Sequence, residues 1–128
     1  MSPTKRSLKA LRYGGYTCAI VERWNPYAKI RQDLFGVIDI LAIHPDYGIF
    51  GVQTTSDNGG IVAKHVHKCK AEPRLLVWLE SGGKFIIHGW GKRGPRGKRK
   101  VWTCRTLTAK VGRGLYGESY VYFDGDHA

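Results

Sequence analysis

Two apolar runs, residues 34–43 and 49–55, are joined by His44-Pro45-Asp46-Tyr47-Gly48. Apolar runs bounded by turn residues read as buried strands, and the joining segment reads as a hairpin connection. Each run carries one polar residue that a core strand would not choose. In the first it is Asp39, between Ile38 and Ile40; in the second it is Gln53, after Val52. A buried carboxylate without a partner is costly, so Asp39 has to meet a cation, a donor network or a strand end open to solvent. A hairpin that sets Asp39 beside Gln53 makes a small oxygen-rich site, which suits a hard divalent metal. Both residues also have a purely structural reading. Asp39 can be satisfied by Arg23, Arg31 or a backbone N–H, and Gln53 can be a core amide that pins two strands together.

The rest of the chain supplies a frame for that hairpin. Residues 4–13 are good helix formers with Leu8 and Leu11 on one face, and Gly14-Gly15 ends the helix. Residues 16–24 alternate as a strand, stopped by Asn25-Pro26. After the hairpin, 56–60 is a loop with N-cap candidates. A helix follows to about Glu72, with Val62, Val66 and Cys69 on one face and Pro73 closing it. Leu75-Leu76-Val77-Trp78-Leu79 reads as a fourth buried strand, and 85–90 with 101–107 as a hairpin. The tail from 112 to 128 is rich in Gly and Tyr and is assigned to no element. The expected fold is one α/β domain of 128 residues: an αβββαβ core over about 4–80 with a mixed central sheet, and a C-terminal hairpin over about 85–107.

Asp39, thirteen intervening residues, then Gln53-Thr54-Thr55 resembles the PD-(D/E)XK nuclease signature in a degraded form. The flanking Glu22-Arg23-Trp24-Asn25-Pro26 and Arg31-Gln32-Asp33-Leu34-Phe35-Gly36 resemble small phage and bacterial members, and the likeness covers roughly residues 8 to 80. The αβββαβ order is also the core known for that restriction-endonuclease-like fold. The resemblance implies a Mg2+- or Mn2+-dependent DNA endo- or exonuclease acting in phage recombination, repair or DNA processing, in the bacterial host cytoplasm. Many relatives act as dimers, which allows a homodimer here.

The resemblance also assigns roles. Asp39 is the metal ligand, with Gln53 where an acid is usual and Thr55 where a lysine is usual. In the superfamily a further acid often comes from the first helix, but residues 1–13 contain none. Glu22 or Asp33 then has to substitute. For both, the bland reading is a surface ion pair worth little. A lysine from the following helix can replace Thr55. Lys64 and Lys68, four apart, share a helix face, though helical lysines are usually solvated surface. The two departures sustain an alternative, a catalytically weak or inactive nuclease-fold accessory protein that binds DNA.

Charge points to a polyanion. Lys and Arg number 21 against 10 Asp and Glu, for a net +11. Six of those cations (Lys92, Arg93, Arg96, Lys98, Arg99, Lys100) crowd into one Gly- and Pro-bearing hairpin tip. Such a loop suits phosphate-backbone contacts that read charge rather than sequence. A solvated, partnerless tip is the bland reading, and an RNA-binding basic protein with an unrelated mixed sheet is the third.

Other classes fall away. No apolar run reaches the roughly 18–20 residues that span a bilayer, and no amphipathic helix suggests a membrane surface. The start, Met-Ser-Pro-Thr-Lys-Arg, lacks a signal's apolar segment. Three cysteines without a CxxC pair fit reduced thiols in a cytosolic compartment. His65, His67 and Cys69 alternate, so a helix scatters them and a closed zinc site is not expected.

Overall fold

Ser2 starts the first helix. In the computed structural model, which describes residues 1–125, its hydroxyl accepts from the Lys5 N–H at 3.2 Å and Pro3 takes the first turn of α1 (Pro3–Tyr13). The helix buries Ser7, Leu8 and Leu11, the face expected from periodicity. Eight strands and two more helices follow: β1 (Thr17–Ile20), β2 (Arg23–Asn25), β3 (Ile30–Gln32), β4 (Ile40–His44), β5 (Gly48–Ser56), α2 (Ile61–Ala71), α3 (Pro73–Glu80), β6 (Lys84–Arg93), β7 (Val101–Arg113) and β8 (Ser119–Gly125).

Six strands form one mixed sheet in the order β1-β4-β5-β6-β7-β8, and β2 with β3 forms a separate ribbon. All neighbours in the large sheet are antiparallel except β5 and β6, which are parallel. That parallel pair needs a crossover, and α2 with α3 provides it.

The sheet has a core on each side. Leu8 and Leu11 of α1 pack on Ile40, Ala42 and Val52. Val37, Ile38, Val62, Cys69, Leu75, Phe85 and Ile87 form the other core, under α2 and α3. Side chains alternate along β5. Val52 and Thr54 therefore face α1, while Gly51, Gln53 and Thr55 face α2. At Gly51 a Cβ would stand 2.6 Å from Ile38 Cδ1, so the segment before β4 closes onto β5 only because no side chain is there.

Several boundaries differ from expectation, each for a local reason. Leu75-Leu76-Val77-Trp78-Leu79 is helical, within α3, not a strand. A five-residue apolar run does not distinguish the two, and the cap decides. Glu72 accepts from the Arg74 N–H at 3.1 Å and Pro73 sits at the first helical position. Pro73 thus opens α3 rather than merely closing α2. The strand after the crossover is β6, so the hairpin expected as an addition lies inside the main sheet.

The run 34–43 is strand only from Ile40; residues 34–38 fold into a tight loop with Phe35 and Gly36 at positive φ (54° and 76°). The strand expected over 16–24 breaks between Ile20 and Arg23, where the chain leaves the sheet for the β2–β3 ribbon. The unplaced tail completes β7 and supplies β8; its residues 126–128 lie outside those described.

Candidate metal centre

Asp39 stands one residue before β4, stitched into the sheet by its backbone. Its N–H donates to Val52 O and its carbonyl accepts from the Val21 N–H, both at 2.9 Å. The side chain is buried, at 4 % exposure. Its Oδ2 accepts from Gln53 Nε2 at 2.9 Å, from the Thr54 N–H at 2.8 Å and from Thr54 Oγ1 at 3.2 Å. The hairpin therefore sets Asp39 beside Gln53, and a backbone N–H satisfies the carboxylate. Arg31, a candidate partner for Asp39, goes instead to Glu22 at 3.4 Å.

Two further acids converge on Asp39. Glu22, between β1 and β2, and Asp33, directly after β3, each bring a carboxylate oxygen to it, with all three oxygens within 4.8 Å of one another. The two acids flank the β2–β3 ribbon, Glu22 just before β2 and Asp33 just after β3. Packing three carboxylates together makes ionisation costly. Burial first, then a proton shared with Asp33 and the charges of Asp33 and Glu22, push Asp39 up to about 7, against the lowering effect of the Thr54 N–H.

The neighbouring groups leave polar atoms open. Gln53, 2 % exposed, gives its amide N–H to Asp39, and its Oε1 is buried with no donor. His65 on α2 has its Nδ1 buried and unbonded, and burial first, then Lys68, hold its ring below the ordinary value. Lys68 Nζ stands 3.8 Å from Asp33 Oδ2, at the rim. Beside it opens a cavity of about 410 Å3 lined by Arg31, Gln32, Asp33, Gly36, Lys68 and Arg74. Asp33 is the one acid in that lining, against the three cations Arg31, Lys68 and Arg74.

No protein-family model, curated protein or solved structure matches this chain.

The donor set fits a hard divalent ion: three carboxylates within 4.8 Å of one another, beside a residue whose buried amide oxygen lacks a donor. Burial pushes the Cys69 thiol up to about 12, and His67, two residues before it on α2, is exposed. Thr55 is buried and its hydroxyl donates to Ser56 O at 3.4 Å, away from Asp39. Lys64 is exposed one turn before Lys68 and forms no ion pair among the described residues. Of the two helical lysines, only Lys68 reaches the acids.

Sequence reasoning missed His65 and Arg74 as members of this site. Nothing local marks either one: Arg74 is brought to the rim by the α3 cap, and His65 by the packing of α2 on the sheet.

The basic tip is a separate feature. Lys92 and Arg93 end β6, and the turn that follows, residues 94–100, carries Arg96, Lys98, Arg99 and Lys100, all exposed. Arg93 pairs with Asp57, and Arg105 stands 3.9 Å from the same carboxylate, so one of the six tip charges is already neutralised. Among the described residues, no helix is long and apolar enough to cross a membrane.

Proposed function

We propose that this chain is a metal-dependent DNA nuclease of the PD-(D/E)XK kind, hydrolysing phosphodiester bonds in recombination, repair or DNA processing. The observation that carries the reading is the meeting of Glu22, Asp33 and Asp39, with Gln53 bonded to Asp39 through its N–H and its own Oε1 left without a donor. The connectivity supports it: setting the ribbon aside, the order runs α1, three antiparallel strands (β1, β4, β5), a helical crossover, then β6 parallel to β5. The net +11 and the exposed basic tip suit DNA as the substrate.

Asp39, Asp33 and Glu22 would hold Mg2+ or Mn2+, with Gln53 Oε1 as the neutral fourth ligand. A bound dication would polarise a water for attack and offset charge building on the phosphate oxygens. The chain does the rest. Gln53 and Thr54 fix the Asp39 carboxylate, so its orientation does not depend on the ion. Lys68 stands where it can steady the attacking water or the phosphate, the role that Thr55 cannot fill as a neutral group. Arg31 and Arg74, paired with Glu22 and Glu72, line the cavity, where they can orient an incoming phosphate.

One observation favours the second reading, an inactive DNA-binding accessory factor. Lys68 already pairs with Asp33, and Thr55 is turned to the backbone, so among the described residues neither offers Gln53 a free cation. Cleavage assays on duplex, tailed and branched DNA with Mg2+ or Mn2+ decide. Wild type should cleave at least one of them, and Asp39→Asn should lower the rate by about a thousandfold or more while far-UV circular dichroism is unchanged. Binding without cleavage in either metal establishes the accessory reading; cleavage retained in Asp39→Asn refutes the metal assignment.

A further inference from the structure

A second site lies on the opposite face of the sheet. Between the first turns of α1 and the root of the β6–β7 hairpin is a cleft of about 440 Å3, within the range of pockets that take one small ligand. Its walls include Arg6, Asn58, Trp90, Lys92, Lys100 and Trp102. Trp102 is 45 % exposed. The Arg6 guanidinium stacks over its indole at 3.6 Å from the ring centroid, and Lys92 Nζ stands 5.6 Å from the same ring. Trp90 is fixed by its indole N–H, which donates to Ser7 Oγ at 2.8 Å.

Two facts point to an anionic, aromatic ligand. Arg6 Nε is buried and has no acceptor. Among the described residues, Arg6, Lys92 and Lys100 form no ion pair, whereas Arg93 and Arg105 nearby share Asp57. The Arg6–Trp102 stack alone can be read as a clamp between α1 and the hairpin. That reading leaves the convergence of two further unpaired lysines, and the orphaned Nε, without a role. Indole faces beside unpaired cations are the chemistry that takes a nucleotide: the base stacks, and the phosphate meets the cations.

Position adds to this. Ser56 and Trp90 are partners in the β5–β6 register, three residues beyond Gln53 and Ile87, or about 10 Å along the strand. The cleft opens on the α1 side and the acids lie on the α2 side, so a duplex cannot lie flat across both. A strand that reaches both has to come out of its duplex at the end of the sheet. We propose that the cleft bounded by Trp90 and Trp102 binds one unpaired nucleotide of the DNA, so that tailed, flapped or branched DNA is preferred over blunt duplex. The proposal rests on the DNA reading above and names its substrate class.

The test is binding without metal, in EDTA, so that no cleavage is required. Fluorescence anisotropy would compare a duplex bearing a short single-stranded tail with the same duplex whose tail is abasic. The two carry equal phosphates, so the difference reports the base alone. Wild type should bind the natural tail about tenfold more tightly than the abasic one, as one or two stacked bases would give. Trp102→Ala should erase the difference and Trp102→Phe should keep most of it. Equal affinity for the two tails in wild type overturns the proposal without reference to any variant. So does a difference that survives in Trp102→Ala. A tail preference in a protein that cleaves nothing with Mg2+ or Mn2+ would keep the cleft and remove the nuclease reading; cleavage with no tail preference would do the reverse.

Discussion

On the α1 side of the sheet, Ser7 Oγ accepts from the Trp90 indole N–H at 2.8 Å and meets His88 Nδ1 at 2.9 Å, so a fully buried hydroxyl has both partners. On the α2 side, Gln53 gives its N–H to Asp39 and leaves Oε1 without a donor, and His65 Nδ1 is bare as well. Both networks are buried under a helix: the first joins α1 to β6, and the second joins β5 to Asp39 beneath α2. One is closed and the other is open. A closed network rigidifies the fold; an open one carries an uncompensated desolvation cost unless something fills it. Burial alone does not mark a site, whereas burial with an unused lone pair does.

The same contrast extends to protons. Burial holds His88 down to about 4, so it stays neutral, while Asp39 among its acids is raised to about 7. These shifts act on stability in opposite directions over nearly the same pH range. The unfolded chain binds more protons at His88 between about 4 and 6.5, so that group makes stability rise with pH. Asp39 has a folded value above its unfolded 3.8, so its contribution is full below about 4 and is lost as pH rises towards 7. His65, also lowered, acts in the same sense as His88.

The largest predicted effect separates these two. In metal-free wild type the slopes offset, and stability should vary little from pH 4 to 6.5. Asp39→Asn should unmask a rise of about 2–4 kcal/mol over that range, and His88→Gln a fall of similar size. Urea unfolding at several pH values measures both; parallel slopes in the two variants would break the comparison.

Next in size is the basic tip, which belongs to neither network. Arg96, Lys98 and Arg99 are exposed and lie outside the cleft, so the triple serine variant should fold normally. It should weaken DNA binding about a hundredfold at low salt and flatten the plot of log K against log salt by about 2–3 units, without regard to sequence. An unchanged slope would mean the tip does not touch phosphate.

The smallest effect sharpens the open-versus-closed distinction directly. Gln53→Glu adds a charge where the free oxygen is and should tighten Mn2+ binding about tenfold by isothermal titration. Ser7→Ala, which opens the closed network, should cost about 1–3 kcal/mol of stability and leave Mn2+ affinity as it was. Equal metal affinity in Gln53→Glu and wild type would make Gln53 a structural amide.

Much of this was legible before the structure. Asp39 and Gln53 stood out because strands of Ile, Val and Leu have no other use for a carboxylate or an amide, and the period-2 pattern with its turn forced them together. The basic tip was legible from charge alone, and α1 from its spacing. Local chemistry fixes such features, since each depends on residues within a few positions of one another.

What only the tertiary structure decided lies further apart in the chain. The α3 helix depended on the Glu72–Pro73 cap outweighing an apolar run that suited a strand equally well. The convergence of Glu22, Asp33 and Asp39 required a break in an apparently continuous strand, which releases the ribbon and swings two acids back over the sheet. Choosing Lys68 over Lys64 took the rotational setting of α2, which the buried Val62 and Cys69 impose. Arg6 meeting Trp102, and Ser7 meeting Trp90 and His88, joins residues more than eighty positions apart. No local pattern encodes such pairs; they exist because an amphipathic helix and a sheet have one way to bury their apolar faces together.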